Sequence, residues 1–452
     1  MAPGKAPACK SAIIGLREYH MRPDKQRSRF SLPRILTFGG IASLLLIYPL
    51  LWLRVLSDPR QRTAADFLPF YAAGRVAVTR GFTRAYDLEA ERQAEDDVLN
   101  TTIQQAYLAR GQVPPQDLGP ALTMAEVNPF PHPPFILPLL FGLAHLGYVP
   151  AFVIWSLLMI GLFILGCLML VRLIPEAQAP DRWILLLGSV LFFPAFFSFI
   201  NGQDSAILFL GAVLWFSGLF RGRDRLSGLG LALTTIRPQV ALALALPFIF
   251  KRRRVGGWFC IGAGFLVFLS LVLLGKTGTE NYLHILTLSA SGSGFKFIND
   301  AFHIDLGGLL HRDLPWLGSP VIRAVGWTGF FAALLFLCWT WAKNVGRLEK
   351  WAGLAVIMAV FFAPHFNYHD LVLLLIPLYG SMRILLDKRL MRIESVVLLP
   401  LGLSFTLFVT YFFLPFMKYF ILYPIMGLLL VVLWFPEKVT FWHKKNAEEL
   451  SR

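Results

Sequence analysis

The stretch ILTFGGIASLLLIYPLLWL, residues 35–53, carries no charge and is bounded by Arg34 and Arg54. As a helix it matches the roughly 30 Å hydrocarbon core of a bilayer. It is too long for a signal-peptide core and lacks a small-residue cleavage site, so it reads as an uncleaved anchor. Residues 1–34 carry eight Lys and Arg against Glu18 and Asp24. The positive-inside rule places this tail in the cytoplasm near anionic lipid, and the chain then emerges outside.

The remainder repeats the pattern. Apolar runs follow at 135–149, 151–173, 183–200, 205–220, 227–250 and 258–275, then at about 321–342, 351–364, 371–386, 393–413 and 414–435. The expected fold is all-α, a polytopic transmembrane helical bundle of about 11–13 hydrophobic segments. Composition agrees: of 452 residues 56% are hydrophobic and 15% charged, with mean hydropathy +0.60, against roughly 25% charged in soluble domains. The net charge of +15 does not indicate nucleic acid, because the basic residues cluster in short gaps such as Arg221–Arg225 and Lys251–Arg254, as cytoplasmic loops do.

This implies one membrane domain over 35–435 and a cytoplasmic tail at 436–452. The outer loops are expected at 54–134 and 276–320. The first is expected to hold helices at 72–80 and 85–110, the second of them at or above the interface and ended by Pro114-Pro115. The second loop is Gly- and Ser-rich at 289–294 and carries His303, Asp305, His311 and Asp313. If both flanking basic gaps are cytoplasmic, residues 227–250 must enter and return, with Pro238 breaking the run into two half-helices. Charge alone leaves the topology of 135–250 open. Cys9 lies in the tail and Cys167, Cys260 and Cys338 in apolar runs. None has metal-ligand spacing, and no disulfide framework is expected.

Four stretches carry chemistry. Asp66 in Ala65-Asp66-Phe67-Leu68-Pro69-Phe70-Tyr71 is an acid among aromatic residues just past the anchor. It is either a solvated loop acid or a general base. Arg237, before Pro238, is a cation in apolar sequence: a snorkelling residue at a helix end or a phosphate ligand. Asn201-Gly202-Gln203-Asp204 is either a plain turn or a set of sugar contacts. Pro364-His365-Phe366-Asn367-Tyr368-His369-Asp370 gathers polar groups at the expected outer rim. His365 and His369 would share a face only on a regular helix, which Pro364 opposes, and the pair lacks the glutamate of a zinc motif. No metal and no cofactor is expected, and no nucleotide-binding glycine pattern appears.

These pieces, in order, resemble the family 87 glycosyltransferases, polytopic enzymes of the C-type superfamily. The likeness rests on Asp66-Phe67-x-x-Phe70-Tyr71 with Gly81-x-x-x-Ala85-Tyr86-Asp87, on His132-Pro133-Pro134, on Gly202-Gln203-Asp204 with Arg237-Pro238, and on Pro364 to Asp370. It covers roughly residues 64–380. Arg237 stands where the family commonly has lysine, and Asp204 where it commonly has asparagine.

The resemblance implies inverting transfer of mannose or a related hexose from a polyprenyl-phosphate donor to a glycan or glycolipid acceptor, outside the cytoplasmic (inner) membrane. It implies Asp66 as catalytic base and juxtamembrane helices in the first outer loop. Beside it stand our own assignments: Arg237, His365 and His369 for the donor phosphate, and Tyr71, His132, Gln203, Asp204, Asn367 and Asp370 for sugar and acceptor. The rival readings are a transporter or flippase of lipid-linked sugars and a non-catalytic assembly subunit. The chain is unsymmetrical with a large first outer loop, whereas many transporters show internal repeats.

Overall fold

A computed structural model describes residues 32–63, 65–109, 111–113, 122–291, 302–343, 347–414 and 416–436. The expected N-terminal tail except its last residues, Cys9, Pro114-Pro115, the Gly/Ser positions from 292 and the tail from 437 lie outside the described residues. All regular structure among the described residues is helical. Six helices are long and apolar enough to cross a membrane, seven if one bent pair counts as a span, and four shorter apolar helices accompany them.

The first span is α1 (Leu32–Ser57). Leu45, Leu46, Leu50 and Leu53 are exposed on it while Ile41, Leu44 and Tyr48 are buried, the pattern of a lipid-facing helix held along one edge. Tyr48 donates its hydroxyl to the Leu191 carbonyl at 3.1 Å.

The outer segment continues through α2 (Pro59–Thr63), α3 (Phe67–Arg80) and α4 (Leu88–Ala109). Gly81, at φ 87°, ends α3, a conformation favoured by glycine. α3 is largely buried. A Cβ on its Gly74 would come within 2.6 Å of the Leu140 carbonyl oxygen, so α3 lies backbone-to-backbone on α5 (Leu137–Leu143).

Residues 135–250 resolve as follows. The apolar run 135–149 is a 3₁₀ turn and the short α5, and α6 (Tyr148–Val171) is a full span. α7 (Ala179–Val190) and α8 (Phe193–Asn201) are a pair bent by 45°. α9 (Ser205–Phe220) packs tightly on α10 (Asp224–Leu233), where Gly211 and Gly230 admit each other's carbonyls. α10 ends in a 3₁₀ turn at Thr234–Ile236, and α11 (Pro238–Lys251) starts afresh. The expected break falls at Arg237-Pro238, with Arg237 at φ −125° and ψ 89°. Proline costs nothing as the first residue of the new helix, since its missing N–H has no intrahelical partner there.

α12 (Arg253–Ser291) makes the first part of the expected second outer loop helical. Helix continues past Gly275, which kinks the chain at φ 59°, ψ −164°, and runs to Ser291. Tyr282 packs on Tyr86, with ring centroids 4.9 Å apart, and Ile285 is fully buried. Tertiary packing holds as helix a sequence whose start, Lys276-Thr-Gly-Thr-Glu280, has weak helix propensity.

After α13 (Leu306–Asp313) come α14 (Ser319–Lys343) and α15 (Leu348–Phe362), then a 3₁₀ segment Tyr368–Leu374 leading into α16 (Leu375–Asp387). α17 (Ile393–Val396), α18 (Leu399–Phe413) and α19 (Leu422–Trp434) follow. The apolar window of Tyr368–Asp387 is 89% buried and that of Arg253–Ala290 only 11%. The former is therefore the axis of the bundle and α12 its lipid-facing rim.

Candidate active site

Helix ends and breaks, rather than helix faces, supply the site. Asp66 precedes α3 at its N-cap position. An aspartate there normally accepts an amide of its own first turn. This one makes no cap hydrogen bond. Its Oδ2 instead accepts from Gln203 Nε2 at 2.8 Å, and the side chain is half-buried.

Gln203 and Asp204 stand on the turn between α8 and α9. Gly202 makes that turn possible at φ 69°. A Cβ there would also fall 2.6 Å from Phe67 Cβ and 2.8 Å from the Phe152 ring. Trp155 Nε1 donates to the Gly202 carbonyl at 2.8 Å. The glycine thus brings the α8–α9 turn against the start of α3, which places Gln203 on Asp66.

Asp204 is fully buried and paired. Arg237 Nη2 lies 2.9 Å from its Oδ1, and His132 Nδ1 lies 2.8 Å from its Oδ2. Arg237 also sets Nε 3.5 Å from Asp370 Oδ2, and its Nη1 lies 3.0 Å from His132 Nδ1. The imidazole tautomer decides whether His132 donates to the carboxylate or accepts from the guanidinium. Asp370, also fully buried, accepts from Ser205 Oγ at 2.8 Å. His369 Nε2 is 3.6 Å from Asp370 Oδ2, beyond hydrogen-bond reach. One guanidinium thus serves two buried carboxylates.

His132 is held from behind. Tyr86 donates to its carbonyl at 2.6 Å, and its ring packs on Phe70 and Phe130, with centroids 4.3 Å and 5.1 Å away. The preceding segment docks on α4, where Glu91 accepts from the Phe130 amide at 3.1 Å and Glu95 from the Asn128 amide at 3.4 Å. Both glutamates are buried. Burial pushes Glu95 up to about 8 and Glu91 well above the usual carboxylate range, against the pull of the amide each accepts. α4 is therefore more than a surface helix: its acidic half holds in place the extended segment that leads to His132.

Asp66, His132, Gln203, Asp204, Arg237, His369 and Asp370 come together in this way. The structure does not bring in three others. Tyr71 turns away, donating its hydroxyl to the Leu146 carbonyl at 2.8 Å. Asn367 contributes its carbonyl, which accepts the Asp370 amide at 3.1 Å. His365 has a positive φ of 59° and stacks edge-on against His303, centroids 4.9 Å apart. Both line a separate cavity with Asp305, His311 and Arg323.

Arg237 is likewise not the open cation expected for a phosphate, since its charge is already matched by two carboxylates. Ser205, Glu91 and Glu95 escape sequence reading because their roles depend on distant partners, and Tyr86, which stood only in the motif that carries the resemblance, shows its contact with His132 only in the fold. Among the described residues no group of three or more His, Cys, Asp or Glu is placed to hold a metal ion. Cys167, Cys260 and Cys338 are free thiols.

The family model described as Glycosyltransferase family 87 matches residues 130–364, just over half of the chain, from the strand that carries His132 to the proline before His365. No curated protein and no solved structure matches.

Proposed function

The chain belongs to glycosyltransferase family 87, and from that premise we propose that it transfers a hexose, mannose in particular, from a polyprenyl-phosphate donor to a hydroxyl of an extracytoplasmic glycan or glycolipid, with inversion. The observation that carries this reading is the Asp66 carboxylate. It is released from helix capping, half-buried, and oriented by Gln203 at 2.8 Å.

Asp66 takes the proton of the acceptor hydroxyl. The acceptor oxygen forms its bond to the anomeric carbon on the face opposite the phosphate. The bond from that carbon to the phosphate oxygen breaks, and its electron pair leaves with the phosphate. A phosphate leaving group needs no protonation, so one carboxylate suffices, unlike the two that flank a bond in hydrolysis. Two buried polar atoms beside the ion pairs, Gln203 Oε1 and His369 Nε2, have no hydrogen-bond partner among the described residues. We assign them to sugar hydroxyls, because a buried polar group left unmatched is costly and a ligand hydroxyl removes that cost. His132, Asp204, Arg237 and Asp370 form the rigid wall that holds Gln203 and His369 in place.

The distribution of Lys and Arg supports a multi-pass protein of the cytoplasmic membrane, both termini inside and the site outside. Residues 35–435 form its single membrane domain.

The test uses purified protein in lipid with a radiolabelled polyprenyl-phosphate mannose donor. Asp66→Asn keeps the hydrogen-bonding shape and removes the base. Transfer is expected to fall about 10²–10⁴-fold, the usual worth of a general base, with donor binding retained. Transfer at the wild-type rate in Asp66→Asn would remove Asp66 from the mechanism.

A further inference from the structure

α11 links two ends of the molecule. It starts at Pro238, beside the ion pairs of Arg237, and runs 14 residues to Lys251, about 20 Å along its axis. α14 runs the same way, from the cavity that it lines with His365 to Lys343. The far ends of the two helices are clipped together, since Lys251 Nζ donates to the Ala342 carbonyl at 2.8 Å. α12 begins at once after α11, at Arg253. Three helices thus bring Lys251, Arg252, Arg253, Arg254 and Lys343 to one end of the bundle, away from Asp66.

Among the described residues none of these five is paired with an acid. The acids that follow on α15 and α16 are taken: Glu349 lies 3.2 Å from Arg383 and Asp387 3.4 Å from Arg347. Arg252 stands at the corner between α11 and α12. It is half-buried, and its Nη1 is buried with no hydrogen-bond partner among the described residues. Membrane topology asks only for basic residues in solvent. It does not account for a guanidinium nitrogen buried without an acceptor, which is costly until an oxygen meets it. The first amides of α12, at Arg253 and Arg254, have no intrahelical acceptor either, and a helix start favours an anion. Apolar surface adjoins this corner: Leu242 and Ile249 of α11, Ile261 of α12 and Trp339 of α14 are exposed. Lys343 Nζ lies 4.7 Å from the centre of the Trp339 ring, as a cation does at the edge of the hydrocarbon layer.

We propose that this corner binds an anionic phospholipid of the bilayer, its phosphate on the Arg252 guanidinium and the first amides of α12, its acyl chains along the exposed faces of α11, α12 and α14. In the topology proposed above this is the cytoplasmic leaflet. Lysine and arginine pockets between helices suit such headgroups, and the guanidinium fits a phosphate with two hydrogen bonds. The bound lipid ties α11 to its two neighbours and so steadies the helix that begins at Arg237. The inference goes beyond the transferase reading and does not depend on it.

The experiment releases the full-length protein from nanodiscs of mixed phosphatidylglycerol and phosphatidylcholine and counts retained lipid by native mass spectrometry. Wild type is expected to keep phosphatidylglycerol in preference to phosphatidylcholine. Arg252→Gln should weaken that preference about ten-fold, the scale of one charge-assisted hydrogen bond, and Arg252→Lys should recover part of it. Arg392→Gln removes an exposed cation from another loop and should leave the preference unchanged. In thermal unfolding, phosphatidylglycerol should raise the melting temperature of wild type more than that of Arg252→Gln, because a ligand stabilises the state that binds it. Equal retention of the two lipids by wild type would overturn the proposal, whatever the variants do. So would a wild-type preference in Arg252→Gln. An equal loss in Arg392→Gln would overturn it too, since the attraction would then belong to diffuse charge and not to this corner.

Discussion

Arg237 and Arg323 each interrupt or border apolar helical sequence, yet the protein treats them in opposite ways. Arg237 sits in the break between two half-helices, with Asp204 at 2.9 Å, Asp370 at 3.5 Å and His132 at 3.0 Å. Arg323 faces a cavity whose one acid among the lining residues, Asp305, is turned onto backbone amides, and it has no ion-pair partner among the described residues. A cation enclosed by counter-charges is structural, because a ligand would have to displace partners already desolvated around it. A cation left open is available to a ligand. The two regions are connected. Pro364 accepts from Gln239 Nε2 at 3.0 Å, and the chain runs from His365 in the open cavity to Asp370 in the closed network within a few residues.

The largest effect should come from breaking the closed side. Arg237→Met leaves two fully buried carboxylates without their cation. Removing one partner of a buried ion pair typically costs about 3–5 kcal/mol, which thermal unfolding in nanodiscs would register. Arg237→Lys should recover only part of it, since a compact ammonium cannot bridge both carboxylates as the planar guanidinium does. Asp204→Asn combined with Arg237→Met should be less destabilised than Arg237→Met alone. If Arg237→Met melts with wild type, the enclosed character of this network is wrong.

A smaller effect tests how the protein handles buried acids that no arginine matches. Glu91 and Glu95 have no cation partner among the described residues, and each accepts one backbone amide of the strand leading to His132. With Glu95 pushed up to about 8, the folded protein keeps a proton that the unfolded chain releases in the ordinary glutamate range. Its contribution to stability is therefore full at acid pH, declines as pH rises above that range, and is lost once pH passes about 8. Melting should occur at lower temperature at about pH 9 than at about pH 6. Glu95→Gln keeps an acceptor for the Asn128 amide and cannot ionise, so it should flatten part of that slope. An unchanged slope would mean that other groups set it.

Much of this was readable beforehand, for a physical reason. Uncharged runs and basic gaps report the bilayer directly, and a proline after a polar turn announces a broken helix, so the half-helices meeting at Arg237 were expected. The continuation of α12 past Gly275 was not, because its cause is the contact of Tyr282 with Tyr86 from the first outer segment. The site divides the same way. Asp66 stood out by its aromatic setting, and its partner Gln203 lay in a turn already marked as polar. The state of Arg237 could not be read, since its two carboxylates come from residues 204 and 370. Nor could the separation of His365 from His369. Four residues apart, they are sent to different regions by a single positive φ at His365, which a sequence pattern does not display.

The smallest expected effect is on the open side, and its smallness is the point. Arg323→Gln removes a half-buried charge that holds no partner among the described residues, so no counter-charge is stranded and no network opens. Substitutions of this kind usually stay within about 0.5 kcal/mol. The melting temperature of Arg323→Gln should therefore match wild type. A variant that melts well below wild type would show that Arg323 is structural after all, and the contrast with Arg237 would vanish.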